Sequence, residues 1–204
     1  MVTALVGKNN YQILENKKRI ITEFIKSYGD LSVEKLDAAE ASEQAVYDAI
    51  SNLPFLVEKK LVIIDEPSAS KSLTEKLMIW LNGEDSSIDV LIVESNPDKR
   101  TAWYKFIVQN ANLLSCDPMD ERGLISWAVG YAKESGGAMT SSVAGSLVKS
   151  VGSDQQLIAN EIDKLISYDK QITDDSLALL VDPTPQDTVF SPVSYTHLTL
   201  PTKA

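Results

Sequence analysis

The chain has 204 residues, with 19 Lys and Arg against 29 Asp and Glu, a formal net charge of -10 and 44% hydrophobic residues. These values indicate one or two folded domains and exclude wholesale disorder. No apolar run approaches the ~20 residues that a membrane-spanning helix needs. The first residues also lack the basic region of a secretory signal, so we expect no membrane association and a cytoplasmic location.

Cysteine and histidine are almost absent, which excludes several kinds of chemistry. The sequence contains one cysteine, Cys116, and one histidine, His197. A disulfide framework and metal clusters of the CxxC or HExxH kind are therefore excluded. The acidic balance argues against autonomous DNA binding, because neutralising phosphates requires Lys and Arg. We expect no metal, no cofactor and a protein as the main partner.

The first part of the chain alternates strand-like and helix-like segments. Its predicted elements are strands at residues 2–6, 31–36, 60–65, 88–94 and 113–114, and helices at 11–28, 42–50, 72–81 and 100–110. The run at 61–64 is apolar on both faces, which is typical of a central parallel strand covered by helices. This alternation predicts an α/β fold with a mostly parallel sheet over residues 1–118.

Periodicity and capping patterns place the helices of this part more closely. In the first helix, the spacing predicts one apolar face that packs on the sheet, formed by Leu14, Ile21, Phe24, Ile25 and Tyr28. Ser42 is a predicted N-cap. The pattern from Ser72 to Glu75 predicts a capping box that opens a later helix.

After Pro118 the strand-like runs stop, and short capped helices take over. Four helices are predicted at residues 119–134, 140–151, 154–166 and 173–180, with Thr140, Asp154 (or Ser153) and Thr173 as caps. This pattern predicts a small all-helical domain over residues 119–190.

The last 14 residues fit neither pattern. The string VSYTHLTLPTKA at 193–204 contains no acidic residue and no helical period. It resembles translated sequencing-adapter read-through, and we interpret residues 191–204 as a non-native tail. The native chain is then a fragment that stops near Phe190, and its histidine is not native.

One segment has the form of a Walker B motif. The apolar strand Leu61–Ile64 delivers Asp65 and Glu66 to its carboxyl end, where an Asp holds Mg²⁺ and a Glu polarises water in nucleotide-hydrolysing folds. A buried strand that ends in acidic turn residues is also common. The matching phosphate loop GxxxxGK(S/T) is missing, because the first strand is followed by GKNNYQ at residues 7–12. We therefore infer an ATPase-like architecture that does not hydrolyse ATP.

Two further segments are candidate contacts. Leu53, Pro54, Phe55 and Leu56 lie between a predicted helix and the central strand, and they form an apolar plug for a partner or pack under the sheet. A basic group, Lys99, Arg100 and Lys105, is interleaved with aromatic residues. It is a possible phosphate or subunit contact, although a solvated helix start explains it better in a negative field.

These pieces, in this order, resemble the delta subunit of the bacterial DNA polymerase III clamp loader. The resemblance rests on LVGKNNY at residues 5–11, LPFLVEKKLVII at 53–64 and DKRTAWYK at 98–105. It also rests on SWA at 126–128, GGAMT at 136–140, VGSD at 151–154, NEIDKL at 160–165 and ITD at 172–174.

The resemblance implies an AAA+-like, P-loop-NTPase-type α/β domain without a P-loop, at residues 1–118, followed by a helical lid domain at 119–190. It implies that the chain binds the sliding clamp (beta subunit) with a hydrophobic pair, here Pro54 and Phe55 flanked by Leu53 and Leu56. Asp65 and Glu66 are then a degenerate Walker B relic without ATP hydrolysis.

The resemblance also implies the setting. The expected partners are other clamp-loader subunits, with DNA contacted only through the assembled complex and a C-terminal collar domain missing here. The chain would be a subunit of a DNA-directed DNA polymerase (nucleotidyltransferase) holoenzyme with no catalytic site of its own.

There are two alternatives, of which the first is a different class of protein and the second is another subunit of the same clamp loader. An ATP-dependent enzyme or switch would use Asp65 and Glu66 with an atypical phosphate site around Gly7 and Lys8. A delta-prime or ATPase subunit of the loader is disfavoured, because both typically carry a four-cysteine zinc module, which one cysteine cannot supply, and the ATPase also has a complete P-loop.

Overall fold

The computed structural model describes residues 1–53, 57–83 and 87–182. The chain divides into two compact units, Met1–Pro118 and the part from Met119 onward. The strands of the first unit are β1 (Val2–Val6), β2 (Val33–Asp37), β3 (Lys60–Asp65), β4 (Ile88–Glu94) and β5 (Asn112–Ser115). They form one sheet in the order β2-β3-β4-β1-β5, and every neighbouring pair is parallel. The predicted α/β fold with a parallel sheet is confirmed.

Four helices connect these strands, and each begins at a polar cap. They are α1 (Asn10–Tyr28), α2 (Glu43–Ser51), α3 (Lys71–Trp80) and α4 (Ala102–Asn110). The predicted cap Ser42 is confirmed, because its hydroxyl accepts a hydrogen bond from the Ala45 amide at 3.2 Å. The capping box predicted at Ser72 is wrong: α3 begins earlier, and Ser70 caps it by accepting from the Leu73 amide.

The two faces of the sheet contribute to two hydrophobic clusters. Alternate residues of a strand point to opposite faces. Even-numbered strand residues pack in a cluster with α2, α3 and α4: Ala4, Val6, Val62, Ile64, Val90 and Ile92. Odd-numbered strand residues pack in a cluster with α1: Leu5, Leu61, Ile63, Leu91 and Val93. The central strands are therefore buried on both sides, as their apolar runs predict.

The buried face of α1 differs from the predicted one by one residue. Ile13 and Phe24 are buried against the sheet, whereas Leu14 is 60% exposed. Ile13 and Phe24 are 11 positions apart, which returns a helix to nearly the same angle, with Ile20 between them on the same side. The prediction that Leu14 faces the sheet was wrong because two adjacent apolar residues compete for one helical stripe.

The second unit is helical. Its helices are α5 (Glu121–Glu134), α6 (Ser141–Val151), α7 (Gln155–Tyr168) and α8 (Asp174–Leu180). Their N-caps are Asp120, Thr140, Asp154 and Thr173, each accepting a hydrogen bond from a backbone amide of the first turn. Buried side chains from all four helices form one core, including Leu124, Ala128, Leu147, Ile158, Ile162 and Leu177. No helix within 1–53, 57–83 or 87–182 is long and apolar enough to span a bilayer.

A buried carboxylate at the end of β4 joins three parts of the first unit. Glu94 is fully buried. Its Oε1 accepts from the Ser68 amide at 2.9 Å and from the Trp103 indole N–H at 2.7 Å, and its Oε2 accepts from the Ser68 hydroxyl at 2.6 Å. Burial raises the pKa of Glu94 above its usual value, because loss of water disfavours the charged form more than these bonds favour it.

We predict that Glu94→Gln removes a pH-dependent loss of stability. The folded state of the natural chain binds the Glu94 proton more tightly than the unfolded state does. Its free energy of unfolding therefore falls as the pH rises from the unfolded pKa, near 4.5, through the raised folded pKa. A glutamine amide can occupy the same site, with its oxygen accepting both N–H bonds. The stability of Glu94→Gln relative to the natural chain should therefore rise with pH.

The measurement is urea unfolding from about pH 4 to about pH 8, followed by tryptophan fluorescence. Glu94→Ala is the control, because it leaves the buried N–H donors of Ser68 and Trp103 without an acceptor and should be about 2–5 kcal/mol less stable than Glu94→Gln at any pH. A stability difference between Glu94→Gln and the natural chain that stays constant over this range would contradict the prediction.

Candidate functional site

The Walker-B-like carboxylate lies at the carboxyl edge of the sheet, as predicted, but it is already paired. Asp65 is the last residue of β3. The Lys17 ammonium, from α1, lies 2.7 Å from Asp65 Oδ1 and 2.6 Å from Oδ2. Lys17 therefore already supplies a positive charge to both Asp65 oxygens, which reduces their attraction for a metal cation.

The second acidic residue of this motif also has a partner inside the protein. Glu66 has a left-handed backbone, with φ of 51°. Its Oε1 accepts a hydrogen bond from the Ser95 amide at 2.8 Å. This bond ties the end of β3 to the segment that follows β4. The structure thus brings Asp65 and Glu66 to one edge, and it gives each a structural contact.

The loop between β1 and α1 is closed against the chain after β5. The Gly7 amide donates to the Glu94 carbonyl at 3.0 Å, and the Asn9 amide donates to the Cys116 carbonyl at 2.8 Å. A Cβ atom at Gly7, whose φ is 146°, would collide with the Cys116 carbonyl group. The Asn9 side chain caps α1 by accepting from the Gln12 amide at 3.1 Å. A phosphate loop needs such amides to point at the ligand, and here they are bonded to protein oxygens.

The described residues offer no cluster for a metal ion. No three His, Cys, Asp or Glu side chains come together within residues 1–53, 57–83 and 87–182. The Cys116 thiol is buried, and burial raises its pKa. A thiol with a raised pKa is a poor nucleophile.

Only part of the basic group predicted after β4 is available to bind a phosphate or a partner, because Arg100 is bonded to Asp98. Lys99 and Arg100 precede α4, and Lys105 lies on it; all three side chains are exposed. The Arg100 guanidinium donates to both carboxylate oxygens of Asp98, at 3.0 and 2.8 Å. These side-chain bonds, together with the Arg100 amide, lower the pKa of Asp98 to about 2. The role of Lys99, Arg100 and Lys105 as a phosphate or subunit contact stays a prediction.

The predicted clamp-contact segment begins at the end of α2, at the opposite edge of the sheet. Leu53 is 40% exposed. Pro54, Phe55 and Leu56 lie outside the described residues. Ile50 and Ser51, just before them, line a groove of about 760 Å³ whose other walls include Trp80, Leu81 and Ile88. The choice of Leu53, Pro54, Phe55 and Leu56 as contact residues stays a prediction.

Two lysines near these sites were missed in the sequence. Lys17 pairs with Asp65, and Lys60 is buried at the start of β3, with bonds to the end of α2. The signal for Lys60 is a charged residue at the beginning of a strand that is otherwise apolar. No local signal marks Lys17, because its partner is 48 positions away.

We predict that isothermal titration calorimetry detects no saturable binding of Mg-ATP to the chain, down to the affinity of a weak site with a dissociation constant of ~1 mM. The physical reason is that the bonded amides of Gly7 and Asn9 cannot turn to a phosphate. Lys17→Ala, which frees the Asp65 carboxylate, should also give none. Saturable binding by the natural chain that Asp65→Ala abolishes would contradict this prediction and favour an ATP-dependent function.

Comparison with known proteins gives a family and a fold. The model of the family described as DNA polymerase III, delta subunit, matches residues 4–117. Among solved structures, the chain is similar to the Bacillus subtilis DNA clamp loader delta protein YqeN, with a TM-score of 0.68 and 24% identity over 90% of this chain and 58% of that chain. Curated protein sequences give no match.

A second likeness is more distant. The Thermotoga maritima RuvB Holliday junction branch migration motor gives a TM-score of 0.57 and 10% identity over 87% of this chain and 60% of that chain. At these identities the likenesses establish the fold, and the chain spans less than two thirds of either protein. The family model, by contrast, matches more than half of the 204 residues. The chain therefore belongs to the DNA polymerase III delta subunit family.

Proposed function

We propose that this chain is a clamp-loader subunit of DNA polymerase III, which binds the sliding clamp and holds its ring open for loading onto primed DNA during replication. The observation that carries the proposal is the match of the delta-subunit family model to residues 4–117. That match includes the segment with the candidate clamp contact. The fold likeness to a protein described as a DNA clamp loader delta protein supports it.

The proposed contact with the clamp consists of Leu53, Pro54, Phe55 and Leu56, with Phe55 as the anchor. Exposure of Leu53 at the end of α2 supports this choice, because an apolar side chain at that place is available to a partner. Burying a phenylalanine stabilises a contact by about 1.5–3 kcal/mol, which is the size expected of an interface anchor.

The remaining parts have supporting roles in this proposal. The other partners are further clamp-loader subunits, DNA is contacted only through the assembled complex, and the complex works in the cytoplasm. Residues 1–118 form the clamp-binding AAA+-like domain and residues 119–190 the lid domain, while residues 191–204 are a non-native tail. Lys99, Arg100 and Lys105 are proposed to contact phosphate or a neighbouring subunit.

No nucleotide chemistry is assigned to the chain in this proposal. It is a subunit of a nucleotidyltransferase holoenzyme without a catalytic site of its own. The pairing of Lys17 with Asp65 and the bonded amides of Gly7 and Asn9 support this view over an ATP-dependent enzyme or switch.

We predict that Phe55→Ala weakens binding to the sliding clamp of the same genome by about 10- to 100-fold, because the apolar anchor is lost. Leu53→Ala should weaken it less, because Leu53 is a flanking residue. The measurement is biolayer interferometry with the clamp immobilised and each variant titrated.

Leu14→Ala is the matched control. Leu14 belongs to the same unit, is 60% exposed and undergoes the same truncation as Leu53, but it lies near the start of α1, at the carboxyl edge of the sheet, so its substitution should leave the affinity unchanged. Equal binding by the natural chain and Phe55→Ala would show that the site assignment is wrong. No binding by any variant, including the natural chain, would contradict the proposed function.

A further inference from the structure

Lys60 is a buried lysine at the start of the central strand. Only 4% of the Lys60 surface is exposed. Its Nζ donates to the Ala49 carbonyl at 2.7 Å and to the Asn52 carbonyl at 3.1 Å. It also lies 2.7 Å from Oε2 of Glu34, on the neighbouring strand β2. Three oxygens from two elements therefore surround one ammonium group.

These bonds fasten the carboxyl end of α2. Carbonyl groups in the last turn of a helix have no partner within the helix, and the helix dipole makes that end negative. Ala49 lies in the last turn of α2, and Asn52 is its C-cap. The Lys60 ammonium satisfies a carbonyl of each residue. It thereby links the end of α2 to the first residue of β3.

A lysine is not needed at this place for packing. Burying an ammonium costs free energy that its bonds must offset, and an unbranched apolar side chain fills a similar volume without that cost. The energetic gain of the charge is therefore small. Its effect on geometry is large, because two directed bonds fix where the backbone leaves α2, while the ion pair with Glu34 holds the ammonium in place.

The proposed clamp contact begins at Leu53, one residue after the carbonyl that Lys60 holds. Lys60 itself follows the other end of the same connection, so one side chain ties its entry to its exit. Holding the carboxyl end of α2 in one place reduces the ordering that Leu53, which follows that end, must undergo on binding. Lys60 therefore favours tight binding although its own side chain is buried.

We propose that Lys60 is a positioning residue for the clamp contact at Leu53–Leu56. By anchoring the end of α2, Lys60 presents that contact to the clamp. The inference rests on the proposed function. A merely structural role would lower stability and leave the affinity of the folded protein unchanged.

The test is a double-mutant cycle with Lys60→Met and Phe55→Ala, measured as affinity for the immobilised clamp well below the unfolding transition. Lys60→Met keeps an unbranched side chain and removes the charge. It should weaken binding at least fivefold. In the Phe55→Ala background the same change should weaken binding less than twofold, because no anchor is left to position.

Ile63→Val is the control for stability, since Ile63 is fully buried in the same strand and the change costs about 0.5–1.5 kcal/mol. It should leave the affinity unchanged. If Lys60→Met does not fold, Lys60→Gln, which keeps a neutral donor, replaces it in the cycle with the same expected result.

The outcomes separate the two hypotheses. If Phe55→Ala weakens binding and Lys60→Met does not, the role of Lys60 is overturned and the proposed function stands. Equal losses for Lys60→Met and Ile63→Val, or full additivity in the cycle, would also overturn that role. An unchanged affinity in Phe55→Ala would overturn the role of Lys60 together with the assignment of the contact to Leu53–Leu56, because the contact would lie elsewhere. Only a failure of the natural chain itself to bind would contradict the proposed function.

Discussion

The ion pair between Lys17 and Asp65 determines what the carboxyl edge of the sheet can do. In a parallel α/β sheet, all strands end at this edge, and ligands usually bind there. Here the ammonium of Lys17 lies within 2.7 Å of both Asp65 oxygens. The Asp65 carboxylate therefore already has an internal cation as its partner.

The neighbouring polar groups of that edge also form hydrogen bonds within the protein. Glu66 accepts from the Ser95 amide, and Glu94 accepts from Ser68 and Trp103. The amides of Gly7 and Asn9 donate to carbonyl groups of the protein. These bonds join segments that follow β1, β3, β4 and β5 at this edge. The edge is consequently a rigid structural junction.

Much of the fold could be predicted from the sequence, because its signals are local. Apolar runs such as Leu61–Ile64 predict central strands, and cap residues such as Thr140 and Thr173 lie where the helices begin. The errors come from competition between neighbours. Ser70 caps α3 in place of Ser72, and Ile13 is buried in place of Leu14. Such one- or two-residue choices depend on packing against distant parts of the chain.

The candidate site could be predicted only in part for the same reason. The end of β3 places Asp65 and Glu66 correctly, but the pairing with Lys17 joins residues 48 positions apart. No spacing rule within one helix identifies that partner. Lys60 is similar, because its bonding partners are set by where the end of α2 lies relative to the start of β3. Long-range polar contacts therefore carry the information that periodicity lacks.

The two edges of the sheet complement each other in the proposed function. Because α2 returns from the end of β2 to the start of β3, its own end lies at the edge opposite to Asp65. Closing the Asp65 edge with internal bonds fixes the strands, and Lys60 then fixes the end of α2 to one of them. Leu53, which follows the end of α2, is thereby held at a defined place relative to the sheet, so its ordering on binding loses little conformational entropy. In the proposed function, an α/β fold whose carboxyl edge is closed by internal bonds is therefore suited to present a small apolar contact to a protein ring.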